Sequence, residues 1–180
     1  MDRARRLHVE QLRGHRFVAG WGPKRSATVV PAPLRYWQYR APSAAAVVLA
    51  VVVVVVWVAL FAWRGGWWAV RDEVPVALIA GVAVYLVNIR RVTVSDHGVS
   101  FDTAGTQTKP DDVIPSVLVR SVRTGRPPAD WPAPRRRGGW WPGRTRVAVR
   151  HLTDDDEQSF TLWVRDPEAF ADALGVPLTR

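Results

Sequence analysis

Four histidines, His8, His15, His97 and His151, are the first side chains that chemistry would use. No two stand at the i, i+4 spacing that places two ligands on one helix face, and none sits in an H-E-x-x-H pattern, so zinc chemistry is not indicated. All four read as surface histidines. Asp154-Asp155-Asp156-Glu157 lacks the glycine-punctuated ligand alternation of a calcium loop and reads as a solvated turn. Asp111-Asp112 has no partner carboxylate at a readable spacing, so it reads as a turn and strand start rather than an acid–base pair. Gly65-Gly66 and Gly138-Gly139 lack the strand–helix setting of a phosphate loop, and no G-x-S-x-G nucleophile motif occurs. The absence of Cys removes disulfides, thiolate metal sites and cysteine nucleophiles, and leaves the compartment open. The expectation is a protein that is not an enzyme, with no catalytic residue, metal or cofactor.

What remains is contact chemistry. Residues 125–144 form a long loop rich in Gly, Pro, Arg and Trp. Within it Trp131, Arg135, Arg136, Arg137, Trp140 and Trp141 make the best candidate surface for a protein partner or lipid headgroups. Arg and Trp dominate binding hot spots, and both suit a membrane interface. A second candidate is the basic N-terminal segment. Residues 1–40 hold nine basic and two acidic side chains, whereas residues 92–180 hold twelve of each. Such a segment reads as a largely disordered, topology-setting tail attracted to anionic lipid. Nucleic-acid binding is not expected. Leu7, Val9, Leu12, Phe17 and Val18 fall around the whole helical wheel, which argues against an amphipathic membrane helix.

The elements that must position these residues start with two apolar runs. Ala41–Trp63 is 23 residues without a charge, and Val74–Ile89 is 16, closed by Arg90 and Arg91. The first is long enough to span a bilayer as a helix; the second is short and needs snorkelling arginines. The spans are expected at about 41–63 and 74–91, as a helical hairpin with a loop at Arg64–Glu73. Tyr36, Trp37 and Tyr39 precede it, Trp63, Trp67 and Trp68 mark its far end, and Arg90 and Arg91 close it. These eight residues are the expected membrane interface. Small residues Ala46, Ala50, Ala77 and Gly81 would let the helices approach closely. Basic residues flank the outer ends (Lys24, Arg25, Arg35, Arg40; Arg90, Arg91, Lys109) more than the loop (Arg64, Arg71). The expected topology is therefore multi-pass in the cell (inner) membrane with both termini cytoplasmic. The apolar run begins far from the N-terminus and has no small-x-small cleavage site, so a cleaved signal peptide is not expected.

Residues 92–177 read as a small β domain. Val92 and Val94 alternate with Thr93 and Ser95, a turn follows at Asp96-His97-Gly98, and Val99 and Phe101 alternate again. Val113–Val122, with Pro115 inside, reads as a broken or edge strand. Strands follow at Arg146–Leu152 and around Phe160–Val164. Asp166-Pro167-Glu168 starts a helix over 166–174 that Gly175 ends.

The Thr93–Val99 hairpin leaving an apolar pair, and a last strand feeding a short Asp-Pro-Glu-Ala-Phe helix, resemble bacterial PH-like domains, including those of uncharacterised actinobacterial membrane proteins with two spans. Arg outnumbers Lys 23 to 2, in keeping with a high-GC genome. The resemblance implies a curved, partly open β-barrel capped by one helix, and no enzyme activity. The expected fold class is thus α+β: a two-helix transmembrane hairpin followed by a cytoplasmic PH-like barrel or sandwich. The expected function is a non-enzymatic scaffold that holds a protein partner, or a second copy, at the membrane. The alternative is an accessory subunit of a transporter or membrane enzyme working through its hairpin.

Overall fold

The computed structural model describes residues 2–17, 23–25, 34–40, 42–103, 108–153 and 156–180. Val18, Ala41 (the expected start of the first span) and Asp154-Asp155 lie outside them. The chain forms two units, one of residues 1–40 with 90–180 and one of residues 41–89.

The first unit is built on two sheets. One has the order β1-β2-β3-β4, where β1 is Tyr36–Arg40, β2 Arg90–Ser95, β3 Gly98–Thr103 and β4 Ile114–Pro115. All its neighbours are antiparallel. The other has the order β9-β5-β7-β8-β6, with β5 Val119–Thr124, β6 Arg135–Arg136, β7 Thr145–Thr153, β8 Asp156–Val164 and β9 Leu178–Thr179. Its two edge strands, β6 and β9, pair in parallel. A two-residue ladder also joins His15–Arg16 to Lys24–Arg25.

Alternation along β1, β2 and β3 sets cross-strand rows facing inward, Tyr36/Val94/Val99 and Gln38/Val92/Phe101, followed by the pair Arg40/Arg90. The first two rows meet Val122, Val147, Val149, Phe160, Leu162 and Val164 of the second sheet in one core. Each such side chain contributes about 1.5–3 kcal/mol by leaving water. Helix α3, Pro167–Leu174, closes the core with Phe170 and Leu174. It starts where Asp166 Oδ1 accepts from the Ala169 amide at 2.9 Å, and it ends on Gly175 in the left-handed conformation (φ 72°). The Phe170 ring meets Tyr36 edge to face, with centroids 5.4 Å apart.

Gln38 stitches the sheets together. Its Nε2 donates to the Trp163 carbonyl at 2.7 Å, while its Oε1 accepts from the Arg165 amide at 3.0 Å and the Tyr36 hydroxyl at 2.9 Å. A buried amide satisfied at both ends fixes the register it bridges.

The outer face of the first sheet is also covered, which is why β2 is buried from Arg91 to Ser95. Thr93 Oγ1 lies 2.8 Å from Ser100 Oγ, and Asp102 Oδ2 accepts from Ser100 and Thr108. Helix α1, Asp2–Arg13, packs against β3, β4 and the turn at Pro110–Asp112. Its buried face is His8, Val9, Gln11 and Leu12. The expected disordered tail over 1–40 is therefore corrected: it holds a packed helix and a sheet strand. Counting only apolar residues on the wheel hid this face, because half of it is polar.

The second unit is one helical element, α2, Ala44–Val87. It is the one helix among the described residues long and apolar enough to cross a membrane, with a mean hydropathy of 3.1 over its best window. Gly66, at φ 65° and ψ −160°, is its single non-helical residue. Beyond it the chain doubles back, and Trp57 Nε1 donates to Glu73 Oε2 at 3.0 Å. A Cβ added at Gly81 would lie 2.5 Å from Val54 Cγ2 and 3.3 Å from the Ala50 carbonyl, so only glycine fits that approach.

These observations overturn the expected fold class of a two-helix hairpin followed by a PH-like barrel. Among the described residues there are three helices, one of them long and apolar, and the β unit forms two separate sheets. The expected loop at 64–73 is helical except at Gly66, Pro75 sits inside α2, and the second span does not reach Arg91, because Arg90 and Arg91 begin β2. The apolar element interrupts the β unit instead of preceding it. The physical reason is the ladder between β1 and β2, which claims the residues on both flanks of α2.

If α2 is an insertion, it is removable. Arg40 and Arg90 are cross-strand partners, so their Cα atoms are about 5 Å apart and a four-residue Gly/Asn turn bridges them. The chain with 41–89 replaced by such a turn is expected to be water-soluble, with strand-rich far-UV and structured near-UV circular dichroism. A fragment starting at Val92 lacks β1 and is expected to aggregate. A well-folded 92–178 fragment beside a disordered deletion variant would refute the insertion.

Candidate functional site

The cross-strand pair Arg40/Arg90 lies one step past the apolar rows, at the end of the core. Arg40 is 3% exposed, and its guanidinium carbon lies 5.4 Å from the centre of the Phe101 ring. From the other sheet, the loop after β6 brings Arg137 over the same ring at 5.1 Å. The Arg137 amide donates to the Thr161 carbonyl at 2.8 Å, which extends the parallel pairing of β6 on β8 and aims the side chain inward. Two cations thus lie over the Phe101 ring, and Phe160 meets it edge-on at 5.0 Å. His151 packs on Phe160 at 5.5 Å and is itself buried.

The loop is seated by its backbone. Gly138, at φ 96°, passes so close to Arg40 that a Cβ there would lie 3.3 Å from Nη1 and 3.4 Å from Cδ. Positive φ and close approach together require glycine. Arg144 Nη1 donates to the Tyr39 carbonyl at 2.6 Å, and Ser159 Oγ donates to the Pro132 carbonyl at 2.6 Å. Most of the loop over 125–144 is thereby tied to β1 and β8.

The electrostatics are unbalanced. Burial, with Arg90 and Arg137 nearby, holds the Arg40 pKa down to about 10, against an opposing pull from Asp102. Burial and Arg135 lower Arg137, with Asp112 opposing. Burial lowers His151 as well, and Arg137 and Arg135 add to it. Asp102 itself lies on the outer face of the sheet with Arg91, whose Nη2 is 3.7 Å from Oδ2. Among the described residues, Arg40 Nε, Arg40 Nη1 and Arg137 Nε are buried with no hydrogen-bond partner. A buried cation without a partner costs several kcal/mol, so such nitrogens mark a place where an anion fits.

The residues singled out by sequence are distributed as follows. Arg137 belongs to this cluster, while Arg135 and Arg136 are exposed on β6. Trp131 is half-buried, and Trp140 and Trp141 are exposed, with Arg144 5.3 Å from the Trp141 ring. Of the expected interface residues, Trp63, Trp67 and Trp68 are exposed on α2 and Arg90 is exposed at the start of β2. Tyr36 is instead in the core, and Arg91 is buried against Asp102 with its guanidinium 3.7 Å from the centre of the Phe17 ring. Trp37 and Tyr39 are half-buried on the outward side of β1, 5.9 Å apart. Arg40 and Gln38 were not singled out. The signal for both is the alternation Tyr36-Gln38-Arg40, legible only once 36–40 is known to be a strand. No group of three His, Cys, Asp or Glu able to hold a metal occurs among the described residues. Searches of protein-family models, curated proteins and solved structures give no match to this chain.

The histidines are not on the surface. His8, His15 and His151 are buried, and His97 is half-buried. His8 Nδ1 lies 2.6 Å from Ser95 Oγ, and burial, helped by His97, holds its pKa down to about 4. The unfolded chain protonates His8 near 6.5 and the folded chain resists until about 4. Stability contributed by the neutral ring is present above 6.5 and lost as pH falls toward 4. A shift of that size is worth about 3 kcal/mol. Full-length protein in detergent is expected to lose thermal stability over this window, and His8→Gln to flatten that loss. An unchanged slope in the variant would assign the loss to other groups.

Proposed function

We propose that this chain is a non-enzymatic, membrane-anchored interaction module: α2 holds it in the cell membrane, and the two-sheet unit works at the cytoplasmic face. The observation that carries this reading is the pairing of Arg40 with Arg90. The two ends of a 44-residue apolar element are held as neighbours, so an element that enters a bilayer must also come back. The stretches on either side of Gly66, 44–65 and 67–87, each rise about 30 Å or slightly more as helix, which matches the hydrocarbon core. Trp63, Trp67 and Trp68 around the turn suit the far interface, and the excess of basic residues on the flanks suits a cytoplasmic location for both termini. The 125–144 loop offers the half-buried Trp131 and the exposed Arg135, Arg136, Trp140 and Trp141 to a protein partner. The exposed basic groups of α1, Arg3, Arg6 and Arg13, add attraction to anionic lipid.

The absence of Cys allows topology to be read cleanly. A single Trp67→Cys variant in intact cells is expected to react with an impermeant thiol reagent, and Arg180→Cys only after the membrane is opened. Labelling of both from outside would overturn the topology. For the interaction role, chemical cross-linking in native membranes is expected to give one stoichiometric partner. Recovery of that partner should fall at least about tenfold when Arg135, Arg136 and Trp140 are changed to Ser. Cross-linking that yields no partner, or one unaffected by the variant, would overturn the assigned surface.

A further inference from the structure

We infer that the Arg40–Arg90–Arg137 cluster at the end of the β core is a binding site for a phosphate oxyanion. Arg40 and Arg137 reach it from the two sheets and lie over a single aromatic ring, and the exposed Arg90 adds its charge from beside Arg40. Arg40 is almost wholly enclosed, yet two of its nitrogens, and one of Arg137, have no hydrogen-bond partner among the described residues. The nearby carboxylates do not fill the role. Asp102 is committed on the opposite face of the sheet to Arg91, Ser100 and Thr108. Asp112 is exposed and acts on Arg137 at a distance. Like-charged groups gathered in a desolvated place repel one another, and an anion turns that repulsion into attraction.

The donor set selects phosphate over a carboxylate. One guanidinium fork satisfies a carboxylate, whereas donors converging from two sheets need an acceptor with oxygens in several directions. Gly138 brings the loop backbone against Arg40 where a side chain would crowd the guanidinium. His151 lies below, its pKa lowered by burial. The phosphate has two natural sources. Arg40 comes four residues before α2 and Arg90 three residues after it, so a lipid headgroup phosphodiester is close at hand in the proposed topology. Free phosphate or a soluble phosphate ester offers the same oxygens. The headgroup source rests on the membrane reading; the site itself does not.

The test uses full-length protein in a neutral detergent. Inorganic phosphate, at ionic strength matched with acetate, is expected to raise the melting temperature in a saturable way. Arg137→Gln is expected to weaken apparent phosphate affinity by about tenfold or more, the loss of one charge-assisted contact, while Arg136→Gln leaves it unchanged. Arg40→Gln is a second variant; if it fails to fold, Arg137→Gln still decides. Protein in nanodiscs of phosphatidylcholine with or without phosphatidylglycerol separates the sources. Stabilisation by the anionic lipid alone, lost in Arg137→Gln, supports a headgroup site, and stabilisation by inorganic phosphate supports a site for soluble phosphate. Equal stabilisation by acetate, equal responses of the two single variants, or no response to either phosphate source would each overturn the proposal. None of these readouts depends on a protein partner, so failure of the interaction reading leaves them untouched.

Discussion

The pairing of Tyr36–Arg40 with Arg90–Ser95 is the constraint from which the rest of the structure follows. It joins segments fifty residues apart and makes them neighbours in a four-stranded sheet. That closure decides three things at once. It forces the apolar element between them to double back. It brings Gln38 to the end of β8, where one amide ties the two sheets. It also places Arg40 beside Arg90 at the end of the core, where an apolar pair would otherwise be expected.

The first sheet has two different faces. Inward it offers Tyr36, Val92, Val94, Val99 and Phe101 to a dry core. Outward it offers Thr93, Ser95, Ser100 and Asp102, which are buried as well, under α1 and Phe17. Burial of the second face is tolerable because its hydroxyls and carboxylate bond to one another and Arg91 lies against Asp102. Among the described residues, the exceptions are Arg5 Nε, His8 Nε2, Arg91 Nε and the cationic cluster. There the nitrogens stay unpaired, and a cation facing a ring recovers only part of its hydration. What sets the cluster apart is that its unpaired nitrogens belong to two cations that lie over one ring.

Local features were legible in the sequence. The Asp96-His97 turn, the alternation on either side of it, and the Asp166-Pro167 helix start act within a few residues, and each is found where its residues stand. The apolar runs were legible too, as was the close approach at Gly81. What escaped was non-local. Nothing within residues 36–40 reveals that their partner lies beyond an apolar stretch, so by sequence Tyr36 reads as an interface aromatic and the segment as tail. His8 is silent until Ser95 is known to face it. The face of α1 was missed because its buried residues include His8 and Gln11, which an apolar count discards. Arg137 is marked by its place in the Arg/Trp loop, whereas Arg40, the most enclosed cation of the cluster, carries no such local mark.

The insertion of α2 has a consequence for the order of synthesis. A chain made at roughly 5–20 residues per second completes β1 several seconds before β2 exists. In that interval the apolar element emerges whole, and β1 stands as an unpaired strand bearing Tyr36, Trp37 and Tyr39. The core cannot close until Phe170 and Leu174 appear, more than eighty residues after β2 begins. Helix formation and burial of the apolar element therefore run ahead of sheet assembly, and the returning arm delivers Arg90 to a strand that is already waiting. A ribosome stalled between 41 and 89 leaves that strand edge without its partner, and the two-sheet unit then has no route to its native pairing.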